Sequence, residues 1–164
     1  MVDPRSLSRT WVVDAQESTH IRVRSQRITA MNVEVTAPVL SGTCSIDDAA
    51  VRLHLTIALE HLRMRPMFMQ ATARSFIQRH GATALVFSGV GLPAEPWQVS
   101  GLACAGDASV PVTLSLSPEP ASSPAHLGLL GSAELGTVNL PLPGLGSVED
   151  FTVELDAHLR IHAT

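Results

Sequence analysis

Apolar and polar residues alternate along most of this chain. Over Ser109–Leu116, Val110, Val112, Leu114 and Leu116 share one face, and Ser109, Pro111, Thr113 and Ser115 share the other. Successive side chains of a strand point to opposite sides, so strict alternation predicts a half-buried antiparallel strand. A Trp-led run, Trp97–Cys104, precedes it across a turn at Gly106-Asp107. Ala50–Leu59 is the clearest strand: Val51, Leu53, Leu55, Ile57 and Leu59 face in, and Arg52, His54, Thr56 and Ala58 face out. Asp150–Ile161 sets Phe151, Val153, Leu155, Ala157, Leu159 and Ile161 against a polar row. Shorter runs are Trp11–Asp14, Thr19–Arg24 with Ile21 and Val23, Met31–Thr36 with Val33 and Val35, and Ala84–Val90. Pro38 breaks the third of these from Val39–Ile46, where Leu40, Gly42, Cys44 and Ile46 fall on one face.

The period changes once. Phe68, Ala71, Thr72, Ser75 and Phe76 recur at three-and-four spacing, with Pro66 before them and Gly81 after His80. Proline opens a helix and glycine follows its end, so Pro66–His80 is predicted as one amphipathic helix. Ser117–Pro124 reads as a loop. Leu127–Gly146 is Gly- and Leu-rich; Gly131–Leu140 within it reads as a strand, and the remainder is too punctuated by Gly and Pro for a central one. The expected class is mainly β: a closed antiparallel barrel of about eight strands with the helix against one end. Residues 1–10 form a polar leader and residues 11–164 a single barrel domain.

Composition narrows the function. The chain has 164 residues, enough for a sizeable core in one domain. The net charge is −4, which argues against nucleic acid as a partner. All eleven basic residues are Arg, so Schiff-base chemistry and a P-loop lysine are excluded. No run of about 18 apolar residues predicts a membrane span. The first residues lack the apolar core of a secretory signal, so a cytoplasmic location is expected. Cys44 and Cys104 are expected as free, mostly buried thiols.

Catalytic patterns are missing. His158 and His162 are four apart, which on a strand separates them by about 13 Å, too far to share a metal. Asp47-Asp48 and Glu149-Asp150 are adjacent pairs; neighbours on a strand diverge, and in a turn such residues are solvated or capping. Phe87-Ser88-Gly89 lacks the pattern of a nucleophile elbow. The glycines of Leu127–Gly146 do not form a dinucleotide-binding turn. The reading is therefore non-enzymatic, with no catalytic residue, metal or cofactor.

What remains is the apolar interior. An alkyl chain buried there gains roughly 0.8 kcal/mol per CH₂. The residues expected to line it are Ile21, Val23, Val33, Val35, Leu53, Leu55, Ile57, Phe68, Phe76, Phe87, Val99, Val112 and Leu114. Met64, Met67, Phe68, Met69 and Phe76 suit a lipid entrance, because methionine adapts to a disordered hydrocarbon, and suit a plug or ordinary core equally. The same inward rows would also fill a solid core. The partner expected is an apolar small molecule, with a homodimer left open. The rival reading is a ligand-free module that docks a protein through Leu127–Gly146 or an edge strand.

The order of several short motifs resembles the YceI-like family. Trp11-Val12-Val13-Asp14 with Ser18 and Ile21 resembles that family's aromatic-x-hydrophobic-Asp…Ser opening. Leu40-x-Gly42 resembles its Phe-x-Gly strand, and Leu85-Val86-Phe87-Ser88 its Ile-x-Phe-x-Ser strand. Ala50–Leu59 followed by Met64–Phe76 resembles its long strand and helical segment. Trp97–Leu102, Gly106 and Val110–Leu114 match best, against Val-x-Gly-x-Leu…Gly…Pro-Val-x-Leu. The resemblance implies a small, lipocalin-like antiparallel barrel that binds a polyisoprenoid, quinone or lipid inside. The chain departs from the pattern at Glu17 and Ser25, where the family has His, and at Leu127–Gly146, which replaces an Arg-containing segment. These lie where a headgroup would be held, so the resemblance assigns no headgroup contacts.

Overall fold

The computed structural model describes residues 9–13, 20–25, 34–47, 49–65, 83–94, 97–106, 108–119, 125–139 and 147–163. They form ten strands: β1 Arg9–Val13, β2 His20–Ser25, β3 Glu34–Ile46, β4 Val51–Ala58, β5 Arg63–Arg65, β6 Ala84–Gly91, β7 Gln98–Ala105, β8 Ala108–Glu119, β9 Ala125–Asn139 and β10 Ser147–Ala163. Every pairing is antiparallel, and from β2 to β10 neighbours in sequence are neighbours in the sheet except for β5, which pairs β3 while β4 pairs β6. β10 pairs β9 on one flank and β2 on the other, which closes the ladder into an eight-stranded barrel. The helix predicted over Pro66–His80 lies outside the described residues, as do Val33, Phe68 and Phe76. Among the described residues no helix is long and apolar enough to cross a membrane.

Ten strands fill eight places because two places are shared. β1 pairs Thr43–Ile46 of β3 and the end of β10, while β2 pairs Glu34–Pro38 of β3 and the middle of β10. The two are collinear halves of one interrupted strand. On the other flank of β3, β4 and β5 divide the length in the same way. Met64, expected near a lipid-entrance helix, lies in β5. A walk across the ladder from Val35 through Val23, Leu155, Gly131, Leu114 and Val99 continues past β6 and returns to β3 near Ile46. The strands are therefore strongly tilted, as closure of so few requires.

Four expectations are corrected by partner geometry. β3 runs unbroken through Pro38, which pairs with His20 at the first residue of β2, close to where β5 gives way to β4. A missing N–H is tolerated where partners change. A bulge between Val39 and Ser41 inverts the alternation, so Leu40 points outward at 49% exposure while Gly42, Cys44 and Ile46 stay inside. β9 pairs β10 from Ala125 to Asn139 and β8 over His126–Ser132, so the 127–130 stretch expected to be irregular is held on both flanks. β8 likewise extends to Glu119, past the expected start of a loop. Turn chemistry is as expected. Gly106 adopts φ 62° between β7 and β8, and Asp47 accepts the N–H groups of Ala49 and Ala50 at 2.8 Å between β3 and β4.

The inward rows meet in one core. Alternation is as predicted on β8 and on the described part of β10, and on β4 up to Ile57; Ala58, expected outside, is buried, and Leu59 is half-buried. The wall must also give way at one point. Gly89 and Gly101 face each other across β6 and β7. A Cβ at Gly101 would lie 1.8 Å from the Ser88 carbonyl oxygen, and one at Gly89 would lie 2.6 Å from the Phe87 ring. Backbone and the Phe87 ring occupy the space that side chains fill elsewhere. Gly101→Ala should therefore cost about 1–3 kcal/mol or more in urea denaturation. Gly128→Ala, whose Cβ would meet nothing nearer than 3.5 Å, should fall within about 0.5 kcal/mol of the parent.

Candidate functional site

Inward side chains sort by height along the barrel. The end carrying the β3–β4 and β6–β7 connections is sealed by Ile46, Val51, Trp97, Leu116, Leu127 and Ile161, each under 9% exposed. The Trp97 carbonyl accepts the Leu116 N–H at 2.8 Å, fixing the strand that carries the indole. Below this cap, Leu53, Leu55, Val99, Leu114, Leu129 and Leu159 expose at most 2%. So little surface reachable by water means the middle of the barrel is filled with side chains.

At the opposite end burial is mixed: Val153, opposite Ser25, and Leu62 are buried, but other apolar side chains are not. Val23, Val35, Leu59, Met64, Leu85, Val110 and Leu155 point inward there and pack on the core, but all are only half-buried. Cross-strand registers join several of them: Val23 faces Val35 and Leu155, and Val35 faces Met64. They form an apolar ring over a solid floor. Among the described residues Ser25 is the buried polar side chain, and it continues the row Ile21, Val23 at this rim.

Of the residues expected to line a ligand, Ile21, Val23, Val35, Leu53, Leu55, Ile57, Phe87, Val99, Val112 and Leu114 do share the interior. They divide into two groups. Leu53, Leu55, Val99 and Leu114 belong to the filled middle, whereas Val23 and Val35 belong to the ring; Ile21, Ile57, Phe87 and Val112 are buried between. The expected lining left out Leu59, Leu85, Val110 and Leu155, although alternation set Leu59, Val110 and Leu155 on inward faces. Periodicity reports the side of a strand and carries nothing about height or filling.

The outer surface holds the polar chemistry. Arg22 donates twice to Asp156, through Nε at 3.0 Å and NH2 at 2.6 Å. This bond, opposed by partial burial, holds the Asp156 carboxyl below its ordinary range. Asp47 is lowered by the Ala50 and Ala49 N–H groups and then by Arg52. His54 Nδ1 lies 2.8 Å from Ser88 Oγ. Among the described residues no three His, Cys, Asp or Glu side chains group as a metal site. Cys44 is buried and its thiol is pushed up to about 11 by desolvation, while Cys104, expected to be mostly buried, is exposed because β7 turns it outward.

Iodoacetamide should label Cys104 alone in the folded protein, with Cys44 reacting only on unfolding, as counted by mass spectrometry. A lowered carboxyl contributes stability that is complete above its unfolded pKa and disappears as the pH falls through the folded value. The stability difference between parent and Asp156→Asn should accordingly be present at neutral pH and shrink towards zero in acid denaturation profiles. No protein-family model matches this chain, nor does any curated protein sequence.

Proposed function

We propose that this protein binds a long apolar molecule, an isoprenoid, quinone or lipid, at the ring end of the barrel, without catalysing a reaction. The observation that carries the reading is the half-buried ring of Val23, Val35, Leu59, Met64, Leu85, Val110 and Leu155 above a filled middle. Inward apolar side chains that remain partly wet gain by meeting hydrocarbon, at about 25 cal/mol per Å² removed from water. The filled floor limits depth, so the ligand's terminal segment enters and the remainder lies at or beyond the rim. The resemblance to the YceI-like family, lipocalin-like barrels that bind polyisoprenoids, points the same way.

The docking alternative has less surface to work with. His126–Ser132 is paired on both flanks, and Leu127, Leu129 and Ala133 are turned into the core. Among the described side chains of this stretch the large exposed apolar one is Leu130, at 61%.

Native mass spectrometry beside organic extraction tests the proposal. A bound species that extracts as a prenyl chain, quinone or fatty acid is expected. Val35→Asp and Val110→Asp should weaken its retention about tenfold or more, because each sets a charge against hydrocarbon. Leu130→Asp, on the outer face, should leave it unchanged. A ligand-free mass that persists after incubation with prenyl lipids overturns the reading.

A further inference from the structure

The wall formed by β3, β4, β6 and β7 is concave on its outer side. The concavity encloses about 790 Å³ and lies over Gly89 and Gly101. These two glycines face each other across β6 and β7 and carry no side chain. All lining residues lie in strands, so the hollow does not rest on a loop. It is separate from the apolar ring: none of the ring residues lines it, and apart from Leu53 and the two glycines its lining side chains belong to the outward rows of their strands.

Apart from Leu53, the β3–β4 part of the lining is polar throughout, whereas on β6 and β7 the aliphatic residues alternate with Ser88, Ser100 and Cys104. Val86, Val90 and Leu102 supply the aliphatic surface, with Val90 52% and Leu102 49% exposed. Thr43, Ser45, Ser88 and Ser100 supply hydroxyls, and Arg52 and His54 supply cationic or proton-donating groups. No carboxylate lines the hollow, although acidic residues outnumber basic ones in the chain, fifteen to eleven. The two nitrogen-bearing side chains are also oriented. His54 Nδ1 is engaged with Ser88 Oγ, which leaves Nε2 on the far side of the ring. Arg52 NH1 donates to Asp47 Oδ2 at 3.1 Å, so one nitrogen anchors the guanidinium and the others can reach a second acceptor. Asp47 lies outside the lining and also accepts two backbone N–H groups, so its charge is shared with the turn.

We infer that this outer hollow is a second binding site, selective for a small amphipathic carboxylate. The carboxylate meets Arg52 and His54 on the polar part of the lining, and the hydrocarbon lies across Val86, Val90 and Leu102. A cationic amphiphile of equal length finds no partner for its head. Guanidinium donors match a carboxylate in charge and geometry, whereas an alkylammonium would face Arg52 with like charge.

Octanoate titrated into the full chain and followed by ¹H–¹⁵N correlation spectra provides the test. Saturable shifts are expected at Ser45, Arg52, His54, Ser88 and Leu102, with octyltrimethylammonium binding about tenfold more weakly or not at all. Arg52→Gln and Leu102→Asp alter only the exposed surface, and each should weaken octanoate about tenfold while circular dichroism and the spectrum elsewhere stay unchanged. Shifts confined to Val23, Val35, Met64, Leu85 and Val110 would place the anion at the barrel mouth and overturn this site. Equal binding of the cation, or no saturable shift, overturns it as well. None of these outcomes depends on whether a long apolar ligand binds inside.

Discussion

Closure by β10 is the constraint on which everything else in this molecule depends. This strand pairs with β9 along one flank and with β2 and then β1 along the other. An open antiparallel sheet leaves rows of unpaired N–H and C=O groups at its edges, and those rows template aggregation. Closure satisfies them within the chain. It also turns the inward side chains of all strands towards one axis, so rows that are local in sequence become one shared core. The tilt revealed by the offset between Val35 and Ile46 is the geometric counterpart of closing so few strands.

A tilted barrel of this size has little interior, and its filling decides what it can do. Large side chains from β4, β8, β9 and β10 meet in the middle: Leu53, Leu55, Leu114, Leu129 and Leu159. They fit because β6 and β7 contribute so little there. Gly89 and Gly101 hold that wall close in, with the Phe87 ring covering the gap. Gly131 makes similar room beneath Leu114, and a smaller hollow lies outside it, lined by Arg22, Ser132 and Asp156. Both outer hollows have glycines in their lining, at Gly89 and Gly101 in one and Gly131 in the other.

The uneven filling separates stability from binding. The sealed end and the middle supply buried area, and a leucine truncated there would cost a few kcal/mol. The half-buried ring supplies far less stability per residue, because its apolar surface is still partly wet. Such a surface is where a hydrocarbon has most to gain, and where mutation has least effect on folding. The polar groups of the outer wall have a third role. Their pairs, Arg22–Asp156, Arg24–Glu34 and Arg52–Asp47, lie towards solvent and set local geometry more than overall stability.

The sequence by itself determined the class and much of the pattern. Alternation along Val51–Ile57, Val110–Leu116 and Val153–Ile161 is a local consequence of the pleat, and it identified the inward rows without reference to any partner. It also marked the turns at Asp47 and Gly106, where a capping carboxylate and a positive φ are properties of single residues. Only the tertiary structure decided the rest, because the rest is non-local. The bulge that expels Leu40, the tolerance of Pro38 and the central place of β9 all follow from which strand lies alongside. Glycines that read as breaks in β9 are accommodated because both neighbours hold its backbone. Height along the axis, which separates Val35 in the ring from Leu53 in the filled middle, depends on strand tilt and register across the whole barrel. A period of two residues specifies a face, whereas a cavity, a floor or a rim exists only once opposite walls have met.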